Sequence, residues 1–117
     1  MITRRLMIAV FGLGLALSLA PSYSLAAGDD LQQAIEQTQQ AINAGEQRDA
    51  SSLVEAADNA IDHAVTADKQ NANSHIKAGI KHLRKAIRTA KGTHSARRVA
   101  AAGKHAKMAL TEFQSVK

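Results

Sequence analysis

Apolar residues along this chain form one unbroken run followed by four amphipathic stretches. The run, Leu6 to Ala20, is uncharged and mostly apolar. Beyond it, Leu31, Ile35, Thr38 and Ile42 recur at 4-3-4 spacing, which marks one face of a helix. A second stripe, Val54, Ala57, Ile61 and Ala64, is flanked by Leu53, Ala60 and Val65. The third is the most regular, with Ile76, Ile80, Leu83, Ile87 and Ala90 at 4-3-4-3 spacing. A fourth carries Val99, Gly103, Ala106, Leu110 and Phe113. No stretch alternates with period two for long enough to predict a strand.

Punctuation between the stripes is short. Asp29 and Asp30 are placed to cap the first helix, and Gly45 to end it as a left-handed C′ residue. Ser52-Leu53-Val54-Glu55 has the form of a capping box, with Asp49 or Ser51 as alternative caps. Asp68 to Asn73 form a polar connection, and Gly92 ends the third helix. Short connections favour antiparallel neighbours. The predicted fold is all-α, an up-down-up-down four-helix bundle. Ala34-Ile35 and Ala41-Ile42 recur 45 residues on as Gly79-Ile80 and Ala86-Ile87, so the bundle reads as two similar αα-hairpins, about 29–68 and 73–116. Alanine and glycine at many inward positions predict close helix approach and a thin core.

The first run calls for a different reading. Arg4 and Arg5 precede it, Pro21 breaks it, and Ser24-Leu25-Ala26 places small residues where a signal peptidase needs them. About 15 apolar residues fall short of the roughly 20 that cross a bilayer. Residues 1–26 are therefore expected to be a secretory signal peptide, cut after about Ala26. The expected product is a periplasmic chain of residues 27–117 with no transmembrane anchor. Thr3-Arg4-Arg5-Leu6 only faintly resembles a twin-arginine signal. The 117-residue chain has no cysteine, which excludes disulfides, thiolate metal sites, cysteine catalysis and a lipoprotein anchor.

Formal net charge is +5, but it is divided. Residues 27–72 hold nine acids and two bases, whereas residues 73–117 hold eleven bases and one acid. The hairpins can attract each other inside one bundle, or pair between copies in a homodimer. The basic hairpin can also serve an anionic surface or an acidic protein partner. A specific nucleic-acid partner is not expected, because Phe113 is the only aromatic residue beyond the leader and stacking platforms are lacking.

The chemical signal is histidine. All five, His63, His75, His82, His94 and His105, lie beyond the leader. Four of them immediately precede an inward residue: Ala64, Ile76, Leu83 and Ala106 respectively. They share one heptad position beside the seam, within reach of solvent. Distances from the connections predict His63 opposite His75 and His82 opposite His105, with Asp58, Asp62 or Asp68 adding oxygen near His63. Neutral imidazole suits Cu(II), Ni(II) and Zn(II), and all five histidines are candidate ligands. Neither His-Glu-x-x-His nor Glu-x-x-His occurs, and no serine is nominated as a nucleophile, so a binding protein rather than an enzyme is expected.

The segment Ser74-His75-Ile76-Lys77-Ala78-Gly79-Ile80-Lys81-His82-Leu83-Arg84-Lys85-Ala86-Ile87 resembles the small metal-binding protein family. The likeness continues through Ala44-Gly45, Leu53 to Ala57, Ala60 to Ala64, Lys104-His105-Ala106 and Ala109-Leu110. The resemblance implies an exported, histidine-rich four-helix bundle that binds copper and other divalent metals, with no organic cofactor. His63, His75, His82, His94 and His105 fall where that family has histidines. Ala44, Asp49, Ala56, Thr89 and Glu112 stand where further histidines would be expected.

Overall fold

A computed structural model describes residues 26–117; the expected signal peptide lies outside the described residues, save Ala26. Four helices account for most of them: α1 (Ala26–Glu46), α2 (Ala50–Gln70), α3 (Ser74–Ala90) and α4 (Ala96–Gln114). There is no strand among the described residues. Each helix packs on its two neighbours in a closed ring, α1 on α2, α2 on α3, α3 on α4 and α4 on α1, while the diagonal contacts are slight. This is the up-down-up-down bundle that the periodicity and the short loops predict. No described helix is long and apolar enough to cross a membrane.

Helix starts are set by local side-chain chemistry. Asp49 caps α2: its Oδ1 accepts from Ser52 N–H at 3.1 Å and its Oδ2 from the Ser52 hydroxyl at 2.7 Å. Of the caps open to the sequence, Asp49 is the one used. Asn73 caps α3 through His75 N–H, and Ser95 caps α4 through Arg98 N–H. Asp68 holds the α2–α3 connection, accepting from Asn73 N–H at 2.9 Å and from Lys77 Nζ.

Two local expectations change. α1 starts at Ala26, so Asp29 sits in its first turn, where a carboxylate favours the helix dipole, rather than in front of it. Gly45 does not end α1. The helix closes with Asp49 N–H to Ala44 O and Arg48 N–H to Gly45 O, and the left-handed residue is Arg48, with φ of 58°. Gly45 has a packing role. A Cβ there would stand 2.9 Å from Gly103 Cα, so the missing side chains let α1 and α4 touch backbone to backbone. Gly92 does close α3 with φ of 71°, as expected.

The core is as thin as the composition predicts. Among the described residues, thirteen of the twenty buried hydrophobics are alanine. Phe113, Leu53, Leu83 and Val99 are the largest fully buried side chains, and Thr38 satisfies its buried hydroxyl on Ala34 O at 2.6 Å. Gly79 makes room for Phe113, whose ring occupies the place of its absent Cβ. In α2 the inward line is Leu53, Ala57, Ala60, Ala64 and Ala67, whereas Val54, Ile61 and Val65 are only partly buried. The helix is thus turned from the expected stripe. Small residues at the closest approach let neighbouring backbones come near, and the larger side chains fill the wider flanks.

Candidate metal centre

The ring has a directional rule that places every ion pair. Consecutive helices run in opposite directions, so the residue just before an inward one leans toward the same hairpin partner on both helices. Asp30, His63, His75 and Glu112 all hold that position, ahead of Leu31, Ala64, Ile76 and Phe113. Residues just after an inward one lean toward the other hairpin. Asp68 and Lys77 meet that way across α2 and α3 at 3.0 Å, and Glu46 and Lys107 across α1 and α4 at 3.8 Å. The acidic and basic hairpins therefore meet within one chain, the first arrangement that the charge division allows.

The same rule sorts the histidines. His63 on α2 turns to α1, and its Nδ1 lies 3.2 Å from Asp30 Oδ1. His75 on α3 turns to α4, with Nδ1 2.8 Å from Glu112 Oε1. The expected His63–His75 pair is not made, because those two side chains lean away from each other across the α2–α3 seam. The oxygens expected beside His63 are not its hydrogen-bond partners either. Asp68 is engaged by Asn73 and Lys77, and the partner is Asp30, which the sequence reading did not nominate.

One heptad along α3 from His75, and one heptad back along α4 from Glu112, stand His82 and His105. The antiparallel register sets them opposite each other, as the sequence predicts. Burial first, then the charge of Lys85 and the nearby His82, hold the His105 imidazole below the ordinary histidine range. His105 Nδ1 is buried without a hydrogen-bond partner. Burial and cationic neighbours favour the neutral ring, the form a metal needs.

His94 stands apart. It is exposed in the α3–α4 loop and lines a cleft of about 660 Å³ at the opposite end of the bundle, with Arg48, Asp49, Val54, Lys91 and Val99. The structure does not bring it to the other histidines. Among the described residues no group of three or more His, Asp or Glu side chains is placed to hold one metal ion.

Each histidine–carboxylate pair nevertheless has defined donor chemistry. A carboxylate accepts and does not donate, so Nδ1 carries the proton in both pairs. In the neutral ring Nε2 is then left with its lone pair. His63 and His75 side chains are 38% and 48% exposed. A carboxylate on one nitrogen and a metal on the other is the usual way proteins orient imidazole ligands. The sites differ electrically. His63 lies in the acidic hairpin beside exposed Asp62, whereas His82 and His105 lie among lysines.

The described residues thus form a closed four-helix bundle with two histidine–carboxylate pairs along its seams. Residues 5–116 match the family described as small metal-binding protein, and the chain belongs to that family. The match includes the apolar run Leu6 to Ala20 as well as the bundle. Among the curated proteins, none matches the chain.

Proposed function

We propose that this chain binds and buffers divalent transition metal outside the cytoplasm, Cu(II) foremost with Ni(II) and Zn(II) as alternatives, through its surface histidines. The observation that carries the reading is the pair of Nδ1–carboxylate bonds, His63 to Asp30 and His75 to Glu112. In the neutral ring both leave Nε2 without a proton, on side chains that are partly exposed. His82 and His105 supply a third locus across the α3–α4 seam, and His94 a lone donor in the loop. With at most two protein donors brought together, water completes each coordination shell. That suits an exchangeable buffer rather than a tight store. Export is supported by the basic, apolar and small-residue order of residues 1–26.

Glu112 stands where the family resemblance expects histidine, and it keeps its place opposite His75. The seam there exchanges a two-imidazole site for one oriented imidazole. Calorimetric titration of tag-free protein with Cu(II) tests the reading. Asp30→Asn and Glu112→Gln are expected to weaken their sites by about tenfold or more, as loss of an orienting partner usually does. His63→Ala with His75→Ala is expected to remove those sites. Titrations unchanged by all four substitutions would overturn the assignment.

A further inference from the structure

The metal reading uses the seams of the bundle and draws only His94 from the cleft at its end. That cleft lies between the two hairpin turns. Arg48 and Asp49 of the α1–α2 turn line one side, and Lys91 to His94 of the α3–α4 turn line the other. Val54 lies within it, partly buried, and the buried core residues Ala90 and Val99 close it behind. Its volume of about 660 Å³ is that of a small-molecule pocket. A Cβ on Gly92 would meet nothing within 4 Å, so the space beside that turn is open.

The lining gathers positive charge. Arg48, Lys91 and His94 are all exposed, and among the described residues none of them is paired with a carboxylate. The one acid in the lining, Asp49, is engaged by α2, accepting from Ser52 N–H and from the Ser52 hydroxyl. The two turns also close their helices with different residues. Gly92 takes the left-handed conformation after α3, with φ of 71°, whereas after α1 it falls to Arg48, with φ of 58°. Arg48 is the one non-glycine residue held so among those described. A side chain adopts that backbone at a cost that glycine avoids. What arginine adds over glycine at this point is a guanidinium beside the cleft.

We infer that this cleft binds a small organic anion, its carboxylate or phosphate head held by Arg48, Lys91 and His94 and its short apolar body seated against Val54. Guanidinium and ammonium groups form charge-assisted hydrogen bonds with either head, and the arginine fork matches both. The apolar part of the lining selects against a bare inorganic ion, which would leave Val54 uncovered. The two turns supply the three polar groups from separate hairpins, so the site exists only when the bundle is assembled.

Amide-resolved magnetic resonance of the full chain, titrated with hexanoate in the presence of a chelator, tests this. The chelator keeps metal out, so the outcome is independent of the metal reading. Saturable shifts are expected at Arg48, Gly92, Thr93 and His94, which separates the cleft from any binding elsewhere on the chain. Acetate is expected to bind about tenfold more weakly or worse, for want of the methylenes. Hexanol and hexylammonium are expected not to saturate the same shifts. Hexyl phosphate in place of hexanoate shows which anionic head the cleft prefers. Arg48→Gly/Lys91→Ala is expected to lower hexanoate affinity about tenfold or more. Arg48→Gly alone should weaken binding severalfold while its thermal midpoint stays level or rises, because glycine relieves the left-handed backbone. A merely structural arginine would not give that combination. Lys81→Ala removes an exposed charge from α3 ten residues before Lys91 and should leave affinity unchanged. The inference is overturned if neither hexanoate nor hexyl phosphate gives saturable shifts at these residues. Binding that survives Arg48→Gly/Lys91→Ala, or that falls as much in Lys81→Ala as in Lys91→Ala, would also overturn it.

Discussion

The contact between Gly45 and Gly103 gives a sharp test of the packing, because the two glycines meet each other yet are predicted to respond with opposite sign to alanine. A Cβ on Gly103 would stand 3.4 Å from Gly45 Cα, an ordinary van der Waals contact. The substitution then gains the helix propensity of alanine inside α4, about 1 kcal/mol. A Cβ on Gly45 would stand 2.9 Å from Gly103 Cα and 3.3 Å from Leu53 Cδ1. The first of these is backbone, so α1 and α4 must part. Overpacking of this kind costs about 1–3 kcal/mol, which outweighs the propensity gain to leave a net loss of about 1 kcal/mol. The two single variants should therefore differ by about 2 kcal/mol. In a domain of this size each kcal/mol moves the midpoint by roughly 4–8 °C. Thermal unfolding followed by far-ultraviolet circular dichroism reads the difference directly: Gly103→Ala above the parent, Gly45→Ala below it. Two shifts of the same sign and size would show that the helices do not approach here as described.

Gly79→Ala would place its Cβ 2.7 Å from Phe113 Cδ1 and Cζ, and since that ring is fully buried the variant should lose about 1–2 kcal/mol in urea unfolding despite its better helix former. Asp49→Ala removes the α2 cap and should cost about 1 kcal/mol by the same measurement, with Asp49→Asn costing far less. Asp68 is held below the usual carboxylate range, first by Asn73 N–H and then by Lys77. A depressed carboxyl stabilises the fold above its unfolded value and loses that contribution as pH falls through its folded value. The stability gap between the parent and Asp68→Ala should thus be about 1 kcal/mol near neutral pH and close in strong acid. If the gap persists unchanged in acid, the Asp68 bonds are not what holds the connection. Nitrogen-resolved magnetic resonance of the imidazoles should show Nδ1–H tautomers for His63 and His75, shifting toward a mixture in Asp30→Asn and Glu112→Gln.

The sequence by itself determined the number of helices, their order and the inner faces of α3 and α4, because a 3.6-residue period is written locally in residues such as Ile76, Ile80 and Leu83. It also determined that four histidines share one heptad position, and the opposition of His82 and His105 followed from distance to the Gly92 turn. Distance alone failed for His63 and His75. Which way a residue leans depends on the direction of its helix in the closed ring, and only the assembled ring shows that His63 meets Asp30 and His75 meets Glu112. A signal was present, since Asp30 and Glu112 also stand just before inward residues. Reading it requires knowing which neighbour each side of a helix faces. Tertiary structure likewise decided Gly45. Its sequence context suits a helix stop, but its contact lies with Gly103 on α4, and closest approach between helices remote in sequence is a property of packing. The same cause turned α2 so that alanines face inward and its larger apolar residues take the flanks. The local period fixes that a helix has an inner face, and the smallest residues brought together by the fold fix where its centre lies.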